Sequence, residues 1–111
     1  MNTIWNKPTI KQLMKIPDLY SSENIPMKDK KIYVKFFMGH LTWYVAEISH
    51  KDWNNMFCYV YNASDPELSE WGYTSLKELL NLRVGFVEVD REIHGITPLT
   101  PKKFSEILMG R

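Results

Sequence analysis

Three carboxylates are the residues whose type and placement could do chemistry. Glu47 closes an otherwise apolar alternating run, and Glu88 and Asp90 stand two apart in VGFVEVD, on one face of a strand. A carboxylate facing a core must be paired, protonated or near water. If Glu47 meets Glu88 or Asp90, the pair would serve as acid and base or hold a hard metal ion. The plainer reading, which we favour, is a rim ion pair between Glu47 and Arg83 or Arg91. The other reactive types point away from catalysis. His40, His50 and His94 fall in turns and loops without ligand spacing, so no metal site is expected. Cys58 sits inside an apolar strand and reads as a small core residue. There is no phosphate-binding glycine loop, no GxSxG and no HExxH, so an enzyme is the third choice and no cofactor is implied.

The aromatic residues suggest binding instead. Tyr33, Lys35 and Tyr44 fall on one face of a hairpin, with Lys28, Lys30 and Lys31 close by in sequence. Aromatic rings interleaved with bases form the surface that single-stranded nucleic acid stacks on, which makes such a partner the second choice. Trp5, Trp53 and Trp71, and Tyr73 beside the last, lie in loops or lead-ins, where large aromatics are anchor candidates at protein interfaces. A protein partner is the first choice.

These residues must be positioned by the densest apolar block, KIYVKFFMGHLTWYVAEIS at 31–49. It reads as two strands joined at Gly39-His40, pairing Met38 with Leu41, Phe36 with Trp43, Val34 with Val45 and Ile32 with Glu47. In that register Ile32, Val34, Phe36, Met38, Leu41, Trp43 and Val45 form the core face, with Glu47 at the end of the row. Lys31, Tyr33, Lys35, Phe37, Thr42, Tyr44 and Ala46 form an amphipathic reverse face, expected to be at least partly solvent-exposed. Before the hairpin, residues 1–8 read as a loose lead-in. Thr9 and Gln12 fit a capping box for a short helix on which Ile10, Leu13 and Met14 share a face, ended by Pro17. Residues 18–29 are a turn-rich connection with Leu19 and Tyr20 tucked against the core. After the hairpin come a strand at 55–62, a polar loop, a helix capped by Ser75 with Leu76, Leu79 and Leu80 buried, and a strand at 84–90. A helix then starts at Thr100-Pro101, with Phe104, Ile107 and Leu108 on its apolar face. The order gives an α+β fold, a mainly antiparallel sheet of about four strands with three short helices.

Composition sets the outer bounds. The chain has 111 residues, 44% hydrophobic and 24% charged, enough for one domain, 1–111, with its own core. A net charge of +1 gives no field that would select nucleic acid or an anionic membrane. No apolar stretch approaches the roughly 18 residues of a spanning helix, so no membrane association is expected. A single cysteine and the absence of a leader-like N-terminus point to the cytoplasm.

Taken together, PDLYSSENIPMKDKKIYVKFF, TWYVAE, EWGYTSLKEL, VEVDRE and PKKFSEIL resemble, in this order, a bacterial family catalogued as a domain of unknown function. Its small members are carried on plasmids, conjugative elements and phages. The resemblance runs from Pro17 to about Leu108. It falls on Tyr20, Glu23, Pro26, Asp29, Lys30, Lys35, Phe36, Phe37, Trp43, Tyr44, Glu47, Gly72, Tyr73, Ser75, Leu76, Glu78, Leu79, Glu88 and Asp90. Ser22 stands for a threonine, Thr74 for an aromatic residue and Val89 for a basic one. The turn at 38–41 is shorter than the usual polar loop, with Leu41 at the place of a tryptophan. The resemblance implies an accessory protein of a mobile genetic element. The function expected is thus a small non-enzymatic binding protein that acts on a protein partner, with antagonism of a host defence system as one version. The alternatives are a single-stranded nucleic-acid binder through Tyr33, Lys35 and Tyr44, and a small enzyme using Glu47, Glu88 and Asp90.

Overall fold

A computed structural model of the chain describes residues 10–81, 83–84, 87–88, 90–91 and 102–104. The elements in chain order are α1 (Ile10–Leu13), β1 (Lys31–Ile32), β2 (Val34–Met38), β3 (Leu41–Ile48), β4 (Asn55–Asn62), β5 (Glu70–Ser75), α2 (Leu76–Leu80), β6 (Arg83–Val84), β7 (Val87–Glu88), β8 (Asp90–Arg91) and β9 (Lys102–Lys103). Single 3₁₀ turns occupy Met27–Asp29 and Pro66–Leu68. A five-stranded antiparallel sheet, ordered β5-β4-β3-β2-β8, organises the domain, and β1-β9 and β6-β7 are separate two-stranded ladders. The fold is α+β with an antiparallel sheet.

The central hairpin forms as its sequence dictates. β2 and β3 pair Val34 with Val45, Phe36 with Trp43 and Met38 with Leu41. Gly39, at φ +59°, takes the left-handed conformation a two-residue hairpin loop needs at its first position. Val34, Phe36 and Met38 alternate inward with Trp43 and Val45. Across β4 they meet Met56 and Cys58. We call this side face one. It is closed by Leu13 and Ile16 from the N-terminal segment and by Leu76, Leu79 and Leu80 of α2. Ser75 caps α2 by accepting from the Glu78 amide at 3.2 Å. Cys58 is buried among these residues, and burial pushes its thiol up to about 12.

Several expectations are corrected. The reverse face of the hairpin, face two, is covered in part: Lys31 is exposed and Lys35, Phe37 and Thr42 are half-buried, but Tyr44 and Ala46 are buried. Ile32, Tyr44, Ala46 and Phe104 form a second buried cluster, flanked by half-buried Tyr59, Tyr61 and Trp71. Ile32 does not pair with Glu47. The chain leaves the ladder at Tyr33, so Ile32 belongs to β1, lies opposite Lys102 and packs on the side opposite Val34. α1 ends at Leu13, so Met14 is exposed, and the turn that follows delivers Ile16 to the core instead. Tyr20 is 59% exposed rather than tucked inward. The segment before Ser75 is a sheet strand, β5, and not a lead-in, because its alternate residues pair along β4. The strand expected at 84–90 is broken into β6, β7 and β8, the last pairing with β2 at Phe36 and Phe37. Of the expected C-terminal helix, Lys102–Lys103 pair with β1 as a strand. Ile107 and Leu108, like Trp5, Thr9 and His94, lie outside the described residues. The described helical content is α1, α2 and the two 3₁₀ turns.

Candidate functional site

One irregularity in β3 builds the site. Val45 pairs with Cys58 and Glu47 with Phe57, so Ala46 is an extra residue, a β-bulge. Without it, strict alternation would send Glu47 to face one beside Val45. With it, Ala46 and Glu47 both go to face two, and Ile48 takes the core position, fully buried opposite Met56. The Glu47 carboxylate therefore does not end the apolar row. It lies on the aromatic side, in a cross-strand row with Phe57 and Tyr73.

Glu47 is only 3% exposed, so its charge must be answered. The loop at 18–30 answers it. Oε1 accepts from the Tyr20 amide at 3.0 Å, and Oε2 accepts from the Ser22 amide at 3.1 Å and from the Ser22 hydroxyl. Tyr20 holds φ at +67°, a left-handed conformation that costs roughly 1–2 kcal/mol outside glycine. It lets two amides of one turn converge on a single carboxylate. Lys30, 4% exposed, reaches in from the other side. Its Nζ donates to the Ser22 carbonyl at 2.5 Å and the Ser22 hydroxyl at 2.8 Å, and lies 3.9 Å from Glu47 Oε2. Each charge is thus hydrogen-bonded and compensated, the condition under which a buried pair is tolerated. Among the described side chains Lys30 is the cation beside Glu47; the side chains of the expected partners, Arg83 and Arg91, lie outside those described.

The loop and the Glu47–Phe57–Tyr73 row enclose a cleft of about 370 Å³, lined by Tyr20, Glu23, Ile25, Met27, Lys30, Glu47, Phe57 and Tyr73. Its aromatic wall is continuous. Phe57 stacks on Trp71 at 5.1 Å and meets Tyr73 at 5.3 Å, and the Tyr73 ring lies 6.4 Å from that of Tyr20. The Tyr73 phenol is held above its ordinary value, first by its hydrogen bond with Tyr20, then by burial and the charges of Tyr20, Glu47 and Glu23.

The hydrogen bonds of the site hold the buried pair in place. Ser22, Lys30 and Glu47 contain the atoms of a nucleophile and a base. The Ser22 hydroxyl, however, donates to Glu47 Oε2 and accepts from Lys30 Nζ, so its proton is directed at the carboxylate and not at the amine. Of the other two candidate carboxylates, Glu88 and Asp90, the structure describes the backbone pairing alone. Asp90 pairs with Phe37, which faces Thr42, five residues from Glu47 along β3 and roughly 15 Å away at strand rise. Glu88 stands opposite Arg83 in the separate β6-β7 ladder. Among the described residues no three His, Cys, Asp or Glu side chains gather as a metal-ligand group.

The binding candidates divide sharply. Tyr44 is 3% exposed, in the buried cluster that includes Phe104, and Tyr33 packs with the face-one core. The two tyrosines therefore do not form one stacking surface with Lys35, although Lys35 does face Tyr44 across the ladder. Trp53, at φ +51°, packs against face one and stacks on His50 at 4.4 Å. Trp71 is half-buried, edge-on to Phe104 at 4.9 Å. Both tryptophans thus pack against the domain itself and remain half-buried. Tyr73 is exposed and in the cleft. Reasoning from residue types missed Tyr20, Ser22 and Lys30, because a serine-rich turn reads as a mere connection. The available signal was a buried-looking Glu47 in need of a cation and amides.

No helix among the described residues is long and apolar enough to cross a membrane. No family model, no curated protein and no solved structure matches this chain.

Proposed function

We propose that this protein works by docking a protein partner in the cleft between Tyr20 and Tyr73, without chemistry of its own. One observation carries the reading. Six large hydrophobic residues are exposed among those described, and four of them, Tyr20, Ile25, Met27 and Tyr73, line this one cleft. Exposed apolar side chains scattered singly are ordinary, but a cluster rimmed by polar groups marks an interaction surface. The buried Glu47–Lys30 pair supports the same reading. It fixes the loop that carries Tyr20 and so pre-forms the cleft, which lowers the ordering cost of binding. Five positions of the resemblance, Tyr20, Glu23, Lys30, Glu47 and Tyr73, line the cleft. They suit an accessory protein of a mobile genetic element whose target is a host or element protein.

The test is affinity capture from the native host with three proteins: wild type, Tyr20→Ala/Tyr73→Ala, and Leu68→Ala, which alters an exposed apolar residue outside the cleft. A partner retained by wild type and Leu68→Ala and lost by the double variant is the expected result, with unchanged circular dichroism in all three. Equal capture by all three would remove the cleft from the function.

A further inference from the structure

We propose that the group entering this cleft is a lysine or arginine side chain of the partner, seated against the Tyr20 and Tyr73 rings with its charge at Glu23. The inference rests on the docking reading and adds the chemistry of the occupant. It follows from which charges of the lining are already used. Lys30 is spent inward on Ser22 and Glu47. Glu47 has both oxygens occupied by Tyr20 and Ser22. Glu23 is exposed, and among the described residues no cation lies within ion-pair distance of it. The charge left at the mouth is therefore negative.

The walls suit the same side chain. Tyr20 and Tyr73 are 59% and 56% exposed and tilted 55° to one another, so their rings remain open to a ligand. A cation within about 6 Å of a ring centroid is attracted to the ring face, and guanidinium also stacks there. Ile25, Met27 and Phe57 offer an apolar bed for the methylene stem of a lysine or arginine, whose charged end stays at the wet rim. The charges of Glu47 and Glu23 contribute to keeping the Tyr73 phenol protonated, which reports a negative field inside the cleft. An acidic side chain would be repelled, and a purely apolar one would leave Glu23 unanswered.

The probes are four acetylated, amidated tripeptides, Ala-Arg-Ala, Ala-Lys-Ala, Ala-Leu-Ala and Ala-Glu-Ala, titrated to about 10 mM into the full chain with ¹³C-labelled tyrosine, since single-side-chain binding is of millimolar order. The arginine and lysine peptides should shift the Tyr20 and Tyr73 ring resonances saturably and leave Tyr44 unmoved. The leucine and glutamate peptides should bind more weakly or not at all. Glu23→Gln should weaken the arginine peptide about two- to five-fold, the scale of an exposed ion pair, and raising salt should do the same. Leucine or glutamate binding as tightly as arginine, or an unchanged affinity in Glu23→Gln, would overturn the inference and leave the docking reading to the capture experiment. Silence of all four peptides at both rings would overturn it as well.

Discussion

The two faces of one sheet are built to different ends. Face one is mainly aliphatic, with Phe36 and Trp43 among its buried residues, and closed. Val34, Val45, Ile48 and Cys58 are at or below 2% exposed, with helices and the N-terminal segment laid over them. Face two is aromatic and only partly roofed. Phe104 shares a buried cluster with Tyr44 and abuts Tyr59 and Trp71, and the next row, Glu47–Phe57–Tyr73, opens into the cleft beneath the 18–30 loop. Aliphatic packing fills volume and excludes everything else. A row of aromatic rings with one open end offers a surface. The contrast teaches that burial alone does not separate core from site. Glu47 and Lys30 are as buried as the core, yet they hold up the part of the molecule that faces outward.

That comparison is best broken from face one. Phe36, 1% exposed in β2, should cost about 3–5 kcal/mol when truncated to alanine, measured by urea unfolding. A loss below 1 kcal/mol would mean that face one is not the stabilising side. The next largest effect belongs to the ion pair under the cleft. Glu47→Ala strands a buried ammonium and should cost about 3 kcal/mol. Replacing both partners, Glu47→Leu with Lys30→Met, should recover part of that loss. A double variant no better than the single one would show that the amide and hydroxyl contacts of Ser22, not the charges, set the cost.

The smallest effect sharpens face two. The Tyr73 phenol is raised in the folded chain above the ordinary 10.0. Between that value and its folded one, the native state binds the proton more tightly than the unfolded state does. The resulting stability is full below pH about 10 and is lost as pH rises through the folded value. Tyr73→Phe should therefore match wild type in Tm at neutral pH and lose less Tm above pH about 10. Parallel losses in the two proteins would show that Tyr73 does not sense its neighbours.

Much of the fold was legible because local pattern and long-range pairing agree. The Gly39-His40 turn fixed the pairing of Phe36 with Trp43, the aromatic run at 55–62 became β4, and Ser75 caps α2. The site was legible only as a problem. Alternation singled out Glu47 as a misplaced carboxylate, but a bulge leaves no mark in residue type, so the face was misassigned. Its answering groups, the Tyr20 and Ser22 amides and Lys30, lie 17 to 27 residues earlier. Backbone amides carry no sequence signature at all. Trp53 does lie in a loop, but Trp71, read as a lead-in, sits in a strand whose partner, β4, is visible only once pairing is known.

The bulge at Ala46 acts on β3 as a change of parity. Up to Val45 the odd-numbered residues of the strand serve the closed core; beyond Ala46 the even-numbered Ile48 does. A single strand thereby reads in two frames, one for each half of its length. The upstream half belongs to the hairpin, and the downstream half lets a core strand lend its carboxylate to the opposite side without giving up its own anchor. The location of the cleft is thus encoded in the spacing of the backbone between Val45 and Glu47, one residue longer than the ladder requires, and in no side chain of that stretch.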